Sequence, residues 1–219
     1  MGKRFRIRHH VNPLKLGYQE RPVERILPGP ATEVEVGCAE AHWLVERAAV
    51  EPSWRYVGLE IREDLVVEVR QRVARLGLGA RVDVRYANAN TDLDRLFGAG
   101  EVTRFVVNFP DPWFKSWQHK RRLLTGALVR SMAECLRPLG ELFFQSDVFD
   151  LALDAMALCE GEPLLTNARE AWRFFPENPF GVVSRRERKS TRQGRRVWRL
   201  LYRRDRDQGP LGSTSGTTH

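Results

Sequence analysis

The stretch of the 219-residue chain richest in chemistry is Asn108-Phe109-Pro110-Asp111-Pro112-Trp113-Phe114-Lys115, followed by Gln118-His119-Lys120-Arg121-Arg122. Prolines on both sides of Asp111 fix the backbone around a single carboxylate. A carboxylate held this way can orient a reacting group and match positive charge developing on it, a main lever available to a transferase. The alternative is a proline-rich turn with a capping Asp. Lys115, His119, Lys120, Arg121 and Arg122 are suited to phosphates, and Trp113 and Trp117 are flat faces for an unstacked base.

Further polar residues stand where short apolar runs end. The run Thr32 to Val36 leads into Gly37-Cys38-Ala39-Glu40-Ala41 and then a helical pattern, a place where backbone can approach a nucleotide-like ligand. Gly37 is equally an ordinary tight turn. The run Arg55 to Leu59 ends on Glu60, about 20 residues past that loop, where adenosine ribose hydroxyls are commonly bound. After Arg81 to Tyr86 comes Asn88, which could meet an adenine edge or simply make a turn. After Glu141 to Gln145 comes Ser146-Asp147, with Asp147 either capping the next helix or touching substrate. The five histidines show no ligand spacing, and Cys38, Cys135 and Cys159 form no CxxC pair, so neither a metal site nor a disulfide framework is expected.

The elements that must position these residues alternate. Strand-like runs at Thr32–Val36, Arg55–Leu59, Arg81–Tyr86, Thr103–Phe109 and Glu141–Gln145 are interleaved with helical patterns at His42–Val50, Asp64–Leu76, Leu123–Leu136 and Phe149–Glu160. A last strand is expected at Arg195–Tyr202. Such alternation predicts an α/β domain: a parallel sheet covered on both faces, with ligands beyond the carboxyl ends of its strands. The expected organisation is a basic N-terminal arm over residues 1–30, one domain over 31–206, and a Gly/Ser/Thr-rich, disordered tail over 207–219.

Charge narrows the partner. The chain carries +8 with a pI near 9.9, and Arg185 to Arg206 holds eleven Lys and Arg against Glu187 and Asp205, a local excess of nine. A second basic group lies in the arm and a third beside Trp113 and Trp117, which points to a polyanion with unstacked bases. With 42% hydrophobic residues the chain can build a core, so wholesale disorder and fibrous repeats are excluded. No apolar run approaches the roughly 20 residues of a membrane helix, and the N-terminus lacks a secretory signal, so the expected compartment is the cytoplasm.

Together these stretches resemble the bacterial tRNA (guanine-N7-)-methyltransferase family, over roughly His9 to Tyr202. The string Phe109 to Lys115 followed by His119 to Arg122 matches the family's signature nearly residue for residue. The resemblance implies a Rossmann-like class I methyltransferase fold, with a mostly parallel sheet, helices on both faces and an antiparallel last strand. It implies S-adenosylmethionine as cofactor and guanine 46 of the tRNA variable loop as target, without membrane or metal, in a monomer or homodimer. By position it places Glu35, Gly37, Glu60, Asn88 and Asp111 at the cofactor, with Asp111 at the active centre. Lys115, Asp147, Ser184 and Glu187 fall at substrate, with Ser184 for the family's Thr. Trp113, Trp117, His119, Lys120, Arg121 and Arg122 are expected at RNA on their own charge and aromatic character. One departure stands out: Ala39 and Ala41 occupy positions where the family commonly has glycine, and alanine does not take positive φ freely. That departure motivates a rival, a catalytically altered paralogue that only binds RNA. A class I methyltransferase acting on another RNA is the second rival, since fold alone does not fix substrate.

Overall fold

A computed structural model describes residues 23–27, 29–112 and 123–206 of the protein. Seven strands make one sheet: β1 (Thr32–Val36), β2 (Arg55–Glu60), β3 (Val82–Tyr86), β4 (Val102–Asn108), β5 (Leu136–Ser146), β6 (Leu165–Asn167) and β7 (Trp198–Arg204). Their order is β3-β2-β1-β4-β5-β7-β6. Strands β1 to β5 pair in parallel, and β7 runs antiparallel between β5 and β6. The chain winds outward from β1 to β3 and then returns to lay β4 on the other side of β1. This reversal opens a crevice beyond the carboxyl ends of β1 and β4, the usual ligand position in such sheets.

Helices α1 (His42–Val50) and α2 (Glu63–Arg75) cover one face, and α3 (Ala89–Leu96), α4 (Gly126–Cys135) and α5 (Phe149–Glu160) the other. A sixth helix, α6 (Arg185–Arg192), precedes β7. Most expected elements lie within a few residues of their observed bounds. The predicted helix at Leu123–Leu136 begins later, because Thr125 is its cap, its hydroxyl accepting from the Leu128 N–H at 3.1 Å. The fourth strand ends at Asn108, because Phe109 turns to φ 47°. Helix α6 and the three-residue edge strand β6 carry no sustained apolar period, and α3 spans only two turns, with Ala89, Leu93 and Leu96 as its buried apolar face, so local pattern does not single these elements out.

Two carboxylates on β1 are buried among apolar neighbours, and Glu33 shows how such a charge is tolerated. Its oxygens accept from Trp43 Nε1 at 2.8 Å, Arg104 Nη1 at 2.9 Å and Arg47 Nε at 3.3 Å. Arg47 also donates to the Phe180 carbonyl at 2.7 Å, and the Arg104 guanidinium lies 4.1 Å from the Phe180 ring centre. The network binds the segment around Phe180 to the sheet, and a buried ion is stable only with such a full set of partners. Glu35, two residues on, lacks one.

Candidate active site

The β1–α1 loop lies over β2. The N–H groups of Gly37 and Cys38 both donate to the Leu59 carbonyl, and the Ala39 N–H donates to Glu60 Oε2 at 3.0 Å. Gly58 permits this approach, since a Cβ there would stand 2.5 Å from Cys38 Sγ. Gly37, Ala39 and Ala41 have φ of 76°, 46° and 51°. The loop thus adopts the left-handed conformations that favour glycine, and two alanines hold them under strain of about 1–2 kcal/mol each. Ala41 is fully buried, so glycine there would trade relief of strain for a lost methyl contact of about 0.8 kcal/mol. Net of the roughly 0.5–1 kcal/mol of backbone entropy that glycine costs, Ala39→Gly is expected to raise Tm by about 1–3 °C while Ala41→Gly leaves it nearly unchanged; equal shifts, or a drop at residue 39, would show that the loop is relaxed as it stands. Glu40, the residue between them, is half-exposed, with its carboxylate 3.8 Å from His42 Nε2.

Glu35 is buried, with one oxygen accepting from Asn108 Nδ2 at 2.8 Å and the other without a hydrogen-bond partner among the described residues. Burial pushes its pKa up to about 8, against the opposing pull of the Asn108 amide and with a further rise from Glu33 and Glu60. Burial likewise raises the Cys38 thiol well above its ordinary value, which keeps it an inert neutral group. At the end of β2, Glu60 accepts from Arg62 Nε and Nη2, both at 2.9 Å. Arg62 is held charged first by that hydrogen bond, and Asp111 is among the carboxylates adding to the effect. Asp111 therefore lies within electrostatic reach of the β2 end, and the strained Phe109 precedes the Pro110-Asp111-Pro112 segment that carries it.

Other candidates have work in the fold. Asn88 caps α3, its side chain accepting from the Asn90 N–H at 3.1 Å. Asp147 does not cap α5, whose N-cap is Val148; the Ser146 hydroxyl accepts from the Val148 N–H instead. The Asp147 carboxylate turns to α6 and the chain after it, accepting from Ser190 Oγ at 2.7 Å, Arg186 Nη2 at 2.9 Å and Arg195 Nη1 at 3.4 Å. Burial alone would raise its pKa, and the Ser190 hydroxyl and Arg186 guanidinium more than offset that and hold it low. Ser184 and Glu187 form a reciprocal capping box at the start of α6, and Glu187 also accepts from Arg199 Nη2 at 2.6 Å. Lys115, Trp113, Trp117, His119, Lys120, Arg121 and Arg122 lie outside the described residues.

Sequence reasoning passed over Asn108, Gln145 and Arg62. The first two sit at the ends of apolar strands with partners 37 and 73 positions away, a relation no local pattern reveals. Among the described residues no group of His, Cys, Asp and Glu could hold a metal, and no helix is long and apolar enough to cross a membrane.

Comparison with solved structures places this architecture. A SAM-dependent methyltransferase from Aquifex aeolicus superposes with TM-score 0.55 at 11% identity, over 81% of this chain and 84% of its own. A geranyl diphosphate C-methyltransferase from Streptomyces coelicolor, solved with S-adenosyl-L-homocysteine, gives 0.51 at 17% identity, over 82% of this chain and 75% of its own. The fold is that of the class I S-adenosylmethionine-dependent methyltransferases. A family model described as "Putative methyltransferase" matches residues 30–200. Proteins named tRNA (guanine-N(7)-)-methyltransferase are 35% identical in Nostoc sp., over 91% of this chain and 94% of theirs, and 34% identical in Synechocystis sp., over 92% and 98%. The chain belongs to the tRNA (guanine-N7-)-methyltransferase family.

Proposed function

We propose that the protein transfers a methyl group from S-adenosylmethionine to N7 of guanine 46 in the variable loop of tRNA, in the cytoplasm. The observation that carries this reading is the Asp111 turn at the mouth of the β1/β4 crevice, within the signature stretch of a chain 35% identical to proteins of that name. The residues present fit the cofactor. Glu35 offers a buried carboxylate oxygen to a cationic amino group, and Asn88 stands beyond β3 for an adenine edge; Glu60, at the end of β2 where a ribose diol would lie, would exchange part of its hydrogen bonding to Arg62 and the Ala39 N–H for the diol. The Gly37–Ala41 loop supplies close backbone approach. When bound, the cofactor supplies an electrophilic methyl on a sulfonium.

Guanine N7 has a free lone pair, so no proton leaves the attacking atom and no strong base is needed. Asp111 orients the base, and its negative charge matches the cation that forms on the purine. In this reading residues 31–206 are the catalytic domain and residues 1–30 an arm towards RNA. Asp147 holds α6 through Arg186 and Ser190, and the Ser184–Glu187 box sets the start of that helix. Arg185, Lys189 and Arg192 are left exposed on α6, lining a shallow concavity with Arg188 and Gln193.

That face is suited to tRNA phosphates. Replacing Arg185, Lys189 and Arg192 together with alanine is expected to weaken tRNA binding and to lower the slope of log K against log salt by about 2–3. Arg188 is left in place because it pairs with Glu46 at 2.8 Å. An unchanged salt slope would remove α6 from the RNA surface.

The strained alanines of the loop favour the RNA-binding paralogue as the second reading. Calorimetric titration with S-adenosylmethionine, followed by transfer of a labelled methyl to unmodified tRNA, separates the two. Saturable cofactor binding with transfer is expected; tRNA binding without either would establish the paralogue.

A further inference from the structure

Two amides stand in series beside Glu35. Gln145 Nε2 donates to Asn108 Oδ1 at 2.8 Å, and Asn108 Nδ2 donates to Glu35 Oε1 at 2.8 Å. The three residues come from the adjacent strands β5, β4 and β1. Gln145 is the register partner of Asn108, and Glu35 is the partner of Val106, two positions earlier on the same face of β4. Gln145 and Glu35 are buried, and Gln145 Oε1 and Glu35 Oε2 are both without a hydrogen-bond partner among the described residues.

The order of the chain is dictated by chemistry. The ionised carboxylate, the form that can meet a cation, only accepts, so it takes the NH2 of Asn108, which aims the Asn108 carbonyl at β5. Only a donor suits that carbonyl, and the Gln145 amide supplies it. Without Gln145, nothing stops the Asn108 amide from turning its oxygen towards the carboxylate, lone pair against lone pair.

We propose that Asn108 and Gln145 are positioning residues for cofactor binding: the relay occupies one oxygen of Glu35 and keeps the residue ready to receive a cationic amino group on the other. The proposal rests on the reading of Glu35 as the cofactor carboxylate. Among the described residues, the other charged groups acting on Glu35 work against its ionisation, and the nearby cation is engaged elsewhere. Glu33 on the same strand and Glu60 on β2 both favour the protonated form, Cys38 on the loop is neutral, and Arg62 is engaged by Glu60. Asn108 is the group opposing them. A cation binds the ionised form, so the relay lowers the energy needed to strip the Glu35 proton when the ligand arrives.

The test is calorimetric titration of the full chain with S-adenosylhomocysteine, which carries the same amino group, from about pH 6 to 9 around the ordinary and raised carboxylate ranges. The wild type is expected to bind more tightly as pH rises towards about 8, until the ligand's own amino group begins to lose its proton. Asn108→Ala should bind about tenfold more weakly at pH 7, with the rise displaced to higher pH. Gln145→Leu, which keeps the volume and stays apolar in a buried place, should shift the profile the same way by a smaller amount. It decides the question alone should Asn108→Ala fail to fold. Glu35→Gln is the control. If it binds as the wild type does, the cofactor reading of Glu35 is wrong. If it loses binding while both relay variants keep wild-type affinity and pH profile, the relay has no positioning role.

Discussion

Asp111→Ala is expected to lower methyl transfer by about 10²–10³-fold, the usual cost of removing one preorganised electrostatic partner of a transition state, while tRNA retention stays within error of wild type. The size of the effect follows from where the carboxylate is held. Phe109, at φ 47°, directly precedes a proline, a conformation that persists only where its surroundings enforce it. Its N–H donates to the Gln145 carbonyl at 2.8 Å, which anchors the turn to β5. Two prolines then leave Asp111 little freedom, so orientation is settled before substrate arrives. The charge is also placed beside the Arg62–Glu60 pair at the end of β2 and not in open solvent. Asp111→Asn separates shape from charge. It should retain base orientation and lose charge matching, giving a rate between the wild type and the alanine variant. Near-normal turnover by Asp111→Ala would remove this residue from the active centre.

Glu35→Gln should show two opposite effects of comparable size. Cofactor affinity should fall by about 10²–10³-fold, since a buried cation then meets no counter-charge. Stability should rise, with a pH dependence whose sign is fixed by the raised pKa. The folded chain holds the Glu35 proton up to about 8, whereas the unfolded chain releases it near the ordinary value of 4.5. Below that ordinary value both states are protonated and the glutamine changes nothing. As pH rises from there to about 8, the wild type loses stability that the glutamine variant keeps, and above 8 the difference is constant. Thermal melts across that range check it. A stability difference independent of pH would mean that Glu35 titrates normally, and unchanged cofactor affinity would mean that the carboxylate serves only the fold.

The features legible in the sequence are those written in contiguous residues. Phe105-Val106-Val107 and the helical spacing of Leu65, Val66, Val69 and Val73 identify a buried strand and an amphipathic helix on local pattern alone. The Asp111 signature is likewise an unbroken string. Strand β1 is less direct: Thr32-Glu33-Val34-Glu35-Val36 alternates like a half-exposed strand, yet all five residues are buried. The carboxylates on its polar side are carried by Arg47, Arg104, Trp43 and Asn108, all distant in sequence. Helix α6 fails every apolar test, since its stability comes from a capping box and from ion pairs to Asp147, Glu46 and Arg199. For the same reason Asp147, which local pattern left between a cap for α5 and a substrate contact, does not cap α5 and pairs with α6. The Gln145–Asn108–Glu35 relay runs across three strands perpendicular to the chain, where sequence spacing carries no information.

The measurement that tests the central claim most directly is the position of the transferred methyl. The purified protein is incubated with methyl-labelled S-adenosylmethionine and unmodified tRNA, the RNA is digested with nuclease, and labelled nucleosides are identified and mapped. Label is expected in 7-methylguanosine from the variable loop. Label on another base or another atom, or none despite retained tRNA and bound cofactor, would contradict that claim.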